Sequence, residues 1–451
     1  MKIIIVGCGK IGVSIIKQLI IEKHDITVID QNTDVINDIT NNYDVMGFVG
    51  NGASYSVQKE AGVDKADLLI AVTGSDEINL LCCLFAKKFG NCNTIARVRN
   101  PLYNKEIAYI KDELGLSMII NPEYAAATEI SRILRFPSAD KIETFAKGRV
   151  ELLNLVINEE SPLVGKTLIE VSKRISSDIL VCSVERNDDV FIPNGAFILR
   201  EGDKITIIAS AVHAKEFFTK IGYDTHQVKD TMIIGGGRMT FYLAEQLLKM
   251  GIKVKIVESD RAKCETLSET FPKATIINGD ATNQEILLEE GITGCDSFVA
   301  LTGIDETNIF LSLFARTRTQ GKIVTKIDRI NFNDIIDTFK LSSLIYPEKI
   351  AADYIVSYVR AMQNSIGSNV ATMIKLNSGK VEALEFTITQ GSPVVGIPIM
   401  DLNLKRDILI GCINHKGKIV APKGQNVIEV GDTVVVITTK TGLNDIKDIL
   451  E

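Results

Sequence analysis

The chain has 451 residues, 45% of them hydrophobic and 24% charged, enough for roughly two to four domains that each bury a core. Its 50 Lys and Arg against 57 Asp and Glu leave a net charge of −7, which argues against a nucleic-acid polyanion as partner. Eight Cys without a CxxC pair, four scattered His and no run near the ~20 apolar residues that cross a bilayer argue against a disulfide framework, a zinc site and a membrane span.

From the N-terminus, KIIIVG, DITVID, VMGFVG, LLIAVT and TIARV are short β-branched runs and predict strands. IGVSIIKQLIIEK and EINLLCCLFAKKFG between them carry helical spacing. Strand–helix alternation predicts a parallel sheet with helices on both faces. Further on, LLNLVI, ILVCSVERNDDVFIP and DKITIIAS predict a small sheet with turns, accompanied by one helix, LIEVSKRI. Polar and turn residues cluster at FPSAD (136–140), YDTHQ (223–227) and QNSIGSN (363–369), where boundaries are expected.

The same pattern then returns. Residues 3–30 align without a gap on 231–258, placing Gly7 on Gly235 and Asp30 on Glu258. AVTGSDEINLLCCLFAK (71–87) matches ALTGIDETNIFLSLFAR (300–316), and NPEYAAATEISRILR (121–135) matches YPEKIAADYIVSYVR (346–360). SPLVGKTLIEV (161–171) returns as SPVVGIPIMDL (392–402), and IPNGAFILREGDKITIIAS (192–210) as APKGQNVIEVGDTVVVITT (421–439). Matching motifs in matching order make the chain an A–B–A′–B′ tandem. The expected fold is α/β: two doubly wound, Rossmann-type parallel-sheet domains, each followed by a small α+β domain. The expected divisions are 1–140, 141–224, 229–364 and 368–451.

Gly7-Cys8-Gly9-Lys10-Ile11-Gly12 is a GxGxxG turn between a strand and a helix. Its glycines permit a tight turn, close approach of a pyrophosphate, and packing of the helix on the sheet. Asp30, 18 residues past Gly12, closes the second strand, where a carboxylate binds ribose hydroxyls and disfavours a 2′-phosphate. The bland alternative is a glycine-rich turn without a ligand. In the repeat, Gly235-Gly236-Gly237-Arg238-Met239-Thr240 puts Thr at the third glycine, which predicts a helix slightly farther from the sheet, and Glu258 keeps the acid. Its alternative is a unit that has lost its ligand.

Thr73 and Gly74, with Thr302 and Gly303 in the repeat, end the fourth strand at the sheet edge where open α/β sheets bind ligands. Ser75 or Asp76 there also serves as a plain helix cap. Arg97 ends the fifth strand within reach of phosphate oxygens or as a solvated charge, and Lys326 takes its place in the repeat. Cys82 and Cys83 read as core. No nucleophile elbow, GxxxxGK[ST] loop or HExxH occurs, and no proton donor for hydride transfer stands out.

The doubled glycine turn with Asp30 and Glu258, GNGAS (50–54) with GDAT (279–282), the two TG-x-DE-x-N loops and the EGD and VGD turns (201–203, 430–432) together resemble one family. It is the tandem RCK (KTN) domain family, the peripheral regulatory subunits of Trk potassium-uptake systems, and the likeness spans essentially the whole chain. By position, the resemblance implies a first nucleotide on Gly7, Cys8, Gly9, Lys10, Ile11, Gly12, Asp30, Asn51, Thr73, Gly74 and Arg97. It implies a second on Gly235, Gly236, Gly237, Arg238, Met239, Glu258, Asp280, Thr302, Gly303 and Lys326. Asn51, where many RCK domains have Asp, and Thr240 depart from the pattern. Implied ligands are NAD(H) and ATP or ADP, with no metal. Implied partners are a membrane potassium channel subunit of the TrkH, TrkG or KtrB kind and further copies of the chain, as dimers or tetramers closing a ring of RCK modules. Helices 123–136 and 348–362 resemble the elements that cross between neighbouring modules.

The opening MKIIIVGCGKIG is too short and glycine-rich for a signal peptide, so the expected location is the cytoplasm, peripheral to the membrane through the partner. The function expected is regulation of potassium uptake without turnover. An NAD-dependent oxidoreductase with duplicated Rossmann domains and a free-standing adenine-nucleotide sensor stay open as alternatives.

Overall fold

The computed structural model describes residues 1–135, 141–145, 150–175, 179–222, 228–328, 339, 341, 343–365, 370–376, 380–415, 417–440, 442–443 and 445–451. The boundaries expected at 136–140 and 223–227, and residues 366–369 of the third, lie outside them.

Strands β1 (Lys2–Val6), β2 (Asp25–Asp30), β3 (Met46–Val49), β4 (Leu68–Ala71), β5 (Asn93–Arg97) and β6 (Met118–Ile120) form one sheet in the order β3-β2-β1-β4-β5-β6. Every pairing in it is parallel. Central β4 is buried at all four residues and β1 at four of five, as a strand covered by helices on both faces requires. Five strands are expected from the sequence; the sixth, β6, has three residues, too few to show a period.

The next sheet is antiparallel, order β10-β9-β11-β8-β7, from β7 (Lys141–Phe145), β8 (Val150–Val156), β9 (Ile179–Arg186), β10 (Asp189–Phe191) and β11 (Lys204–Ala209). Two helices accompany it instead of the one expected. Leu168–Ile175 was foreseen, and Ala211–Lys220 was not, although its Phe217 and Phe218 are buried in the core of this sheet.

The second half repeats both layers. Strands β12 (Asp230–Ile234), β13 (Lys253–Glu258), β14 (Thr275–Asn278), β15 (Ser297–Ala300), β16 (Lys322–Lys326) and β17 (Leu344–Ile345) run in the order β14-β13-β12-β15-β16-β17. Strands β18 (Val370–Leu376), β19 (Val381–Thr387), β20 (Ile408–His415), β21 (Lys418–Val420) and β22 (Thr433–Thr438) form the second antiparallel sheet. There the counterpart of the helix Leu168–Ile175 shrinks to a 3-10 turn, Ile399–Asp401, entered from Pro398.

Contacts group like with like. One compact unit holds Met1–Ser131 and Val228–Val356, the other Arg132–Gln227 and Ser357–Glu451. Inside the first unit, each module's opening helix lies on the other module's crossover helix. The helix Arg238–Lys249 meets Pro122–Arg135: the Tyr242 hydroxyl donates to the Arg99 carbonyl (2.8 Å), Asn121 donates to that hydroxyl (2.9 Å), and the Ser131 hydroxyl donates to Gln246 (2.9 Å). Reciprocally, the helix Lys10–Ile21 meets Pro347–Ser365, where Gln18 donates to Asp353 (2.9 Å). Inside the second unit the two antiparallel sheets share a core of Val150, Leu152 and Ile208 with Val381, Ala383 and Val435.

Candidate functional site

The two glycine turns have nearly the same backbone. Gly7 and Gly235 sit at φ +95° and +97°, and a Cβ on Gly7 would stand 2.7 Å from the Thr73 amide nitrogen. Glycine is required there by conformation and by close approach of the neighbouring loop. Gly9 and Gly237 differ: a Cβ on either would meet nothing within 4 Å. The space beside them is open at the start of helices Lys10–Ile21 and Arg238–Lys249, neither of which has a side-chain cap. Uncapped first-turn amides facing open space are groups to which an anion binds favourably.

The acids hold these turns. Asp30 accepts from the Cys8 amide (2.8 Å) and the Asn32 amide (2.9 Å). Glu258 accepts from the Gly236 amide (2.6 Å) and the Asp260 amide (2.7 Å). Burial alone would raise the Glu258 carboxyl, but the Asp260 and Gly236 amides hold it below the usual carboxylate range. Cys8 contributes its amide rather than its thiol, which burial and then Asp30 push up to about 12. Ile11 and Met239 are buried where their helices start, and Thr240 takes the place of Gly12. Asn51, past β3, accepts from the Ala53 amide (3.0 Å), while its counterpart Asp280 accepts from the amide (2.9 Å) and hydroxyl (2.8 Å) of Thr282.

The loops after β4 and β15 are each fixed by one buried asparagine. Asn79 accepts from the Thr73 amide and hydroxyl, both at 2.8 Å, and donates to the Arg97 carbonyl (2.9 Å). Asn308 does the same with Thr302 (2.8 and 2.7 Å) and the Lys326 carbonyl (3.1 Å). Capping and loop-building coexist: the Ser75 hydroxyl accepts from the Ile78 amide (3.3 Å), a bond that Ile304 in the repeat has no group to make. A Cβ on Gly74 or Gly303 would again meet nothing.

Arg97 grips the Thr73 carbonyl, as Lys326 grips that of Thr302 at 3.1 Å. Burial and then Arg99 bring the Arg97 guanidinium down to about 10. All ten candidates of the second module, Gly235 through Met239, Glu258, Asp280, Thr302, Gly303 and Lys326, line one cavity of about 720 Å³. Arg97 and Ile11 of the first module line it too. The second module, which the sequence marks as the degraded copy, therefore opens on a cavity completed by its neighbour.

Four further residues of this cavity carry no local sequence signal of a ligand. Arg99 donates to the Gly74 carbonyl (2.8 Å) and stands 3.8 Å from Glu123. Asp328, in the position equivalent to Arg99, pairs with Lys326 at 2.6 Å. Burial raises the Glu123 carboxyl, against Arg99, Arg97 and Arg238. Burial takes Glu348, its counterpart, to about 7, with Lys10 opposing and Asp328 adding to the shift. The trace that the two glutamates leave in the sequence is the repeated Pro-Glu after Asn121 and Tyr346.

A twice-repeated glycine turn, acid and loop, each copy followed by a small antiparallel domain, matches two family models in alternation. The TrkA-N domain matches residues 3–122 and 231–347, and the TrkA-C domain residues 152–222 and 383–451. The chain belongs to the TrkA family. A TrkA-family relative from Haemophilus influenzae, the Trk system potassium uptake protein TrkA, is 30% identical over 100% of this chain and 99% of its own length. Among solved structures, the GsuK channel bound to NAD covers 97% of this chain and 77% of its own (TM-score 0.63, 18% identity). GsuK bound to ADP covers 80% and 69% (TM-score 0.52, 15% identity). At these identities the likeness establishes a shared fold for this TrkA-family chain. Among its described residues no helix is long and apolar enough to cross a membrane.

Proposed function

We propose that the chain is a nucleotide-binding regulatory subunit that gates a membrane potassium uptake channel or transporter. The observation that carries this is the pair of open glycine turns, each closed by an acid, with one cavity shared between the two modules. Ribose hydroxyls fit Asp30 and Glu258, and a pyrophosphate fits the uncapped helix starts at Gly9 and Gly237. NAD(H), ATP and ADP all carry both groups. Relatives named as potassium uptake proteins along the whole chain, and neighbours named as a channel bound to NAD or ADP, support the same reading.

Gating requires the nucleotide to prefer one arrangement of the modules over another. Cross-packing of each opening helix on the other module's crossover helix supplies the route, since a ligand in the second module's cavity touches both modules. Chains then associate as dimers or tetramers to close a ring on the cytoplasmic face of a channel subunit. Deletion of the gene in a strain lacking other potassium uptake is expected to impair growth at low external potassium, and Asp30→Ala to alter flux while leaving co-purification with the channel subunit intact. Normal uptake in the deletion strain overturns the proposal. No hydride transfer is expected: purified protein with NADH and a panel of ketones, aldehydes and imines should keep its nicotinamide absorbance.

A further inference from the structure

We infer that Lys10 is a mobile cation shared between the two turns: a nucleotide on the first turn draws it away from Glu348, which then takes up a proton and resets the charge of the second cavity. This rests on the nucleotide-binding reading above and adds a coupling between the two sites.

Lys10 is the first residue of its helix, next to the open face of Gly9. Its side chain nevertheless points into the second module, 3.8 Å from Glu348 and 3.5 Å from the Asp328 carbonyl oxygen. Both contacts are long, and the side chain is 57% exposed, so little holds it there. A pyrophosphate on its own turn offers a shorter, charge-assisted bond.

The other charges around Glu348 are already committed. Arg97 from β5 is bonded to the Thr73 carbonyl, and Lys326 at the end of β16 to the Thr302 carbonyl and Asp328. Asp328 repels Glu348, and Lys10 is the strongest charge opposing its burial. Withdrawing Lys10 leaves burial and repulsion by Asp328 opposed only by Arg97 and Lys326, which are held at the Thr73 and Thr302 carbonyls, so a carboxyl that already sits near neutrality takes up more proton. The equivalent Glu123 is insulated from this effect. Arg238, the equivalent of Lys10, also acts on it, but withdrawing Arg238 would leave Arg97 and Arg99, the latter pinned to the Gly74 carbonyl in the position where the repeat has Asp328. The device is therefore one-sided.

The test is calorimetric titration of the full chain with NAD at pH 7 in two buffers of different ionisation enthalpy, which counts protons exchanged. NAD has no phosphate that titrates near neutrality, and ADP is run in parallel. Wild type should take up as much as about half a proton per chain, since a group at its midpoint is half protonated before binding. Glu348→Gln, which keeps the shape, and Lys10→Met, which removes the cation from an exposed side chain, should each abolish the uptake. NAD binding without uptake, or with the same uptake in both variants, overturns the coupling alone. Absence of binding by both NAD and ADP overturns the nucleotide reading and the coupling with it.

Discussion

The hydroxyl of Thr240 donates to the carbonyl oxygen of Gly235 at 2.5 Å, bonding to the atom that a Cβ on the equivalent Gly12 would strike at 2.2 Å in the first turn. One module thus solves the helix–strand contact by omission and the other by a buried hydrogen bond. Gly12→Ala is expected to destabilise the first module by about 1–3 kcal/mol, since the carbonyl is backbone and cannot step aside cheaply. Thr240→Val keeps the shape and should cost about 1 kcal/mol for the lost bond. Thermal unfolding of both variants checks the ordering.

Asn79 and Asn308 are fully buried and satisfied on both sides of the amide group. Asn79→Ala orphans the Thr73 amide and loosens the loop bearing Thr73 and Gly74, at a cost of about 2–3 kcal/mol. Asn79→Asp should be equally poor, because it cannot donate to the Arg97 carbonyl. Denaturant midpoints against wild type decide this.

Asp30→Ala should weaken NAD or ADP binding by at least about tenfold, the loss of one charge-assisted hydrogen bond of roughly 1.5–3 kcal/mol. It should also lower stability, because Asp30 accepts from the Cys8 and Asn32 amides in the free protein. Calorimetry and unfolding on the same variant separate the two effects: unchanged affinity at the first turn removes Asp30 from the ribose site.

The pH dependence of Glu348 has the opposite sign to that of Glu258. A carboxyl raised to about 7 in the folded chain destabilises it above that pH, and the cost disappears as pH falls below the unfolded value near 4.5. Glu348→Gln should raise the melting temperature at pH 8, by an amount equivalent to about 1–3 kcal/mol, and leave it nearly unchanged at pH 5. Glu258, held low, contributes stability at neutral pH that is lost as pH falls through its folded value. Glu258→Gln should therefore be destabilising at pH 7 and progressively less so in acid.

Much of this fold is legible because buried parallel strands such as IIIV (3–6) and LLIA (68–71) are continuous apolar runs, and because every motif occurs twice. Strands of two or three residues, Leu344–Ile345 and Met118–Ile120, carry no period and were missed. The helix Ala211–Lys220 was hidden by DKITIIAS, whose apolar run ends directly at its Ser210 cap. Candidates on a single module came from spacing, as Gly7, Asp30 and Thr73 did, or from the family resemblance, as Asn51 and Asp280 did. Arg99, Glu123 and Glu348 came from neither, because they matter through the packing of one module on the other, which no local pattern encodes. Nor does spacing show that Asp30 and Glu258 already serve backbone amides.

The reciprocal seating of each opening helix on the other module's crossover helix takes place within a single polypeptide. Were the two modules separate copies of one chain, any change at position 99 would appear on both sides of the pair at once, and a replacement of Arg by Asp would strip both cavities of the same cation. Joined in tandem, the halves pair without regard to dilution and mutate independently. Arg99 beside Glu123 and Asp328 beside Glu348 give equivalent positions, in two modules with the same strand order, opposite charge environments.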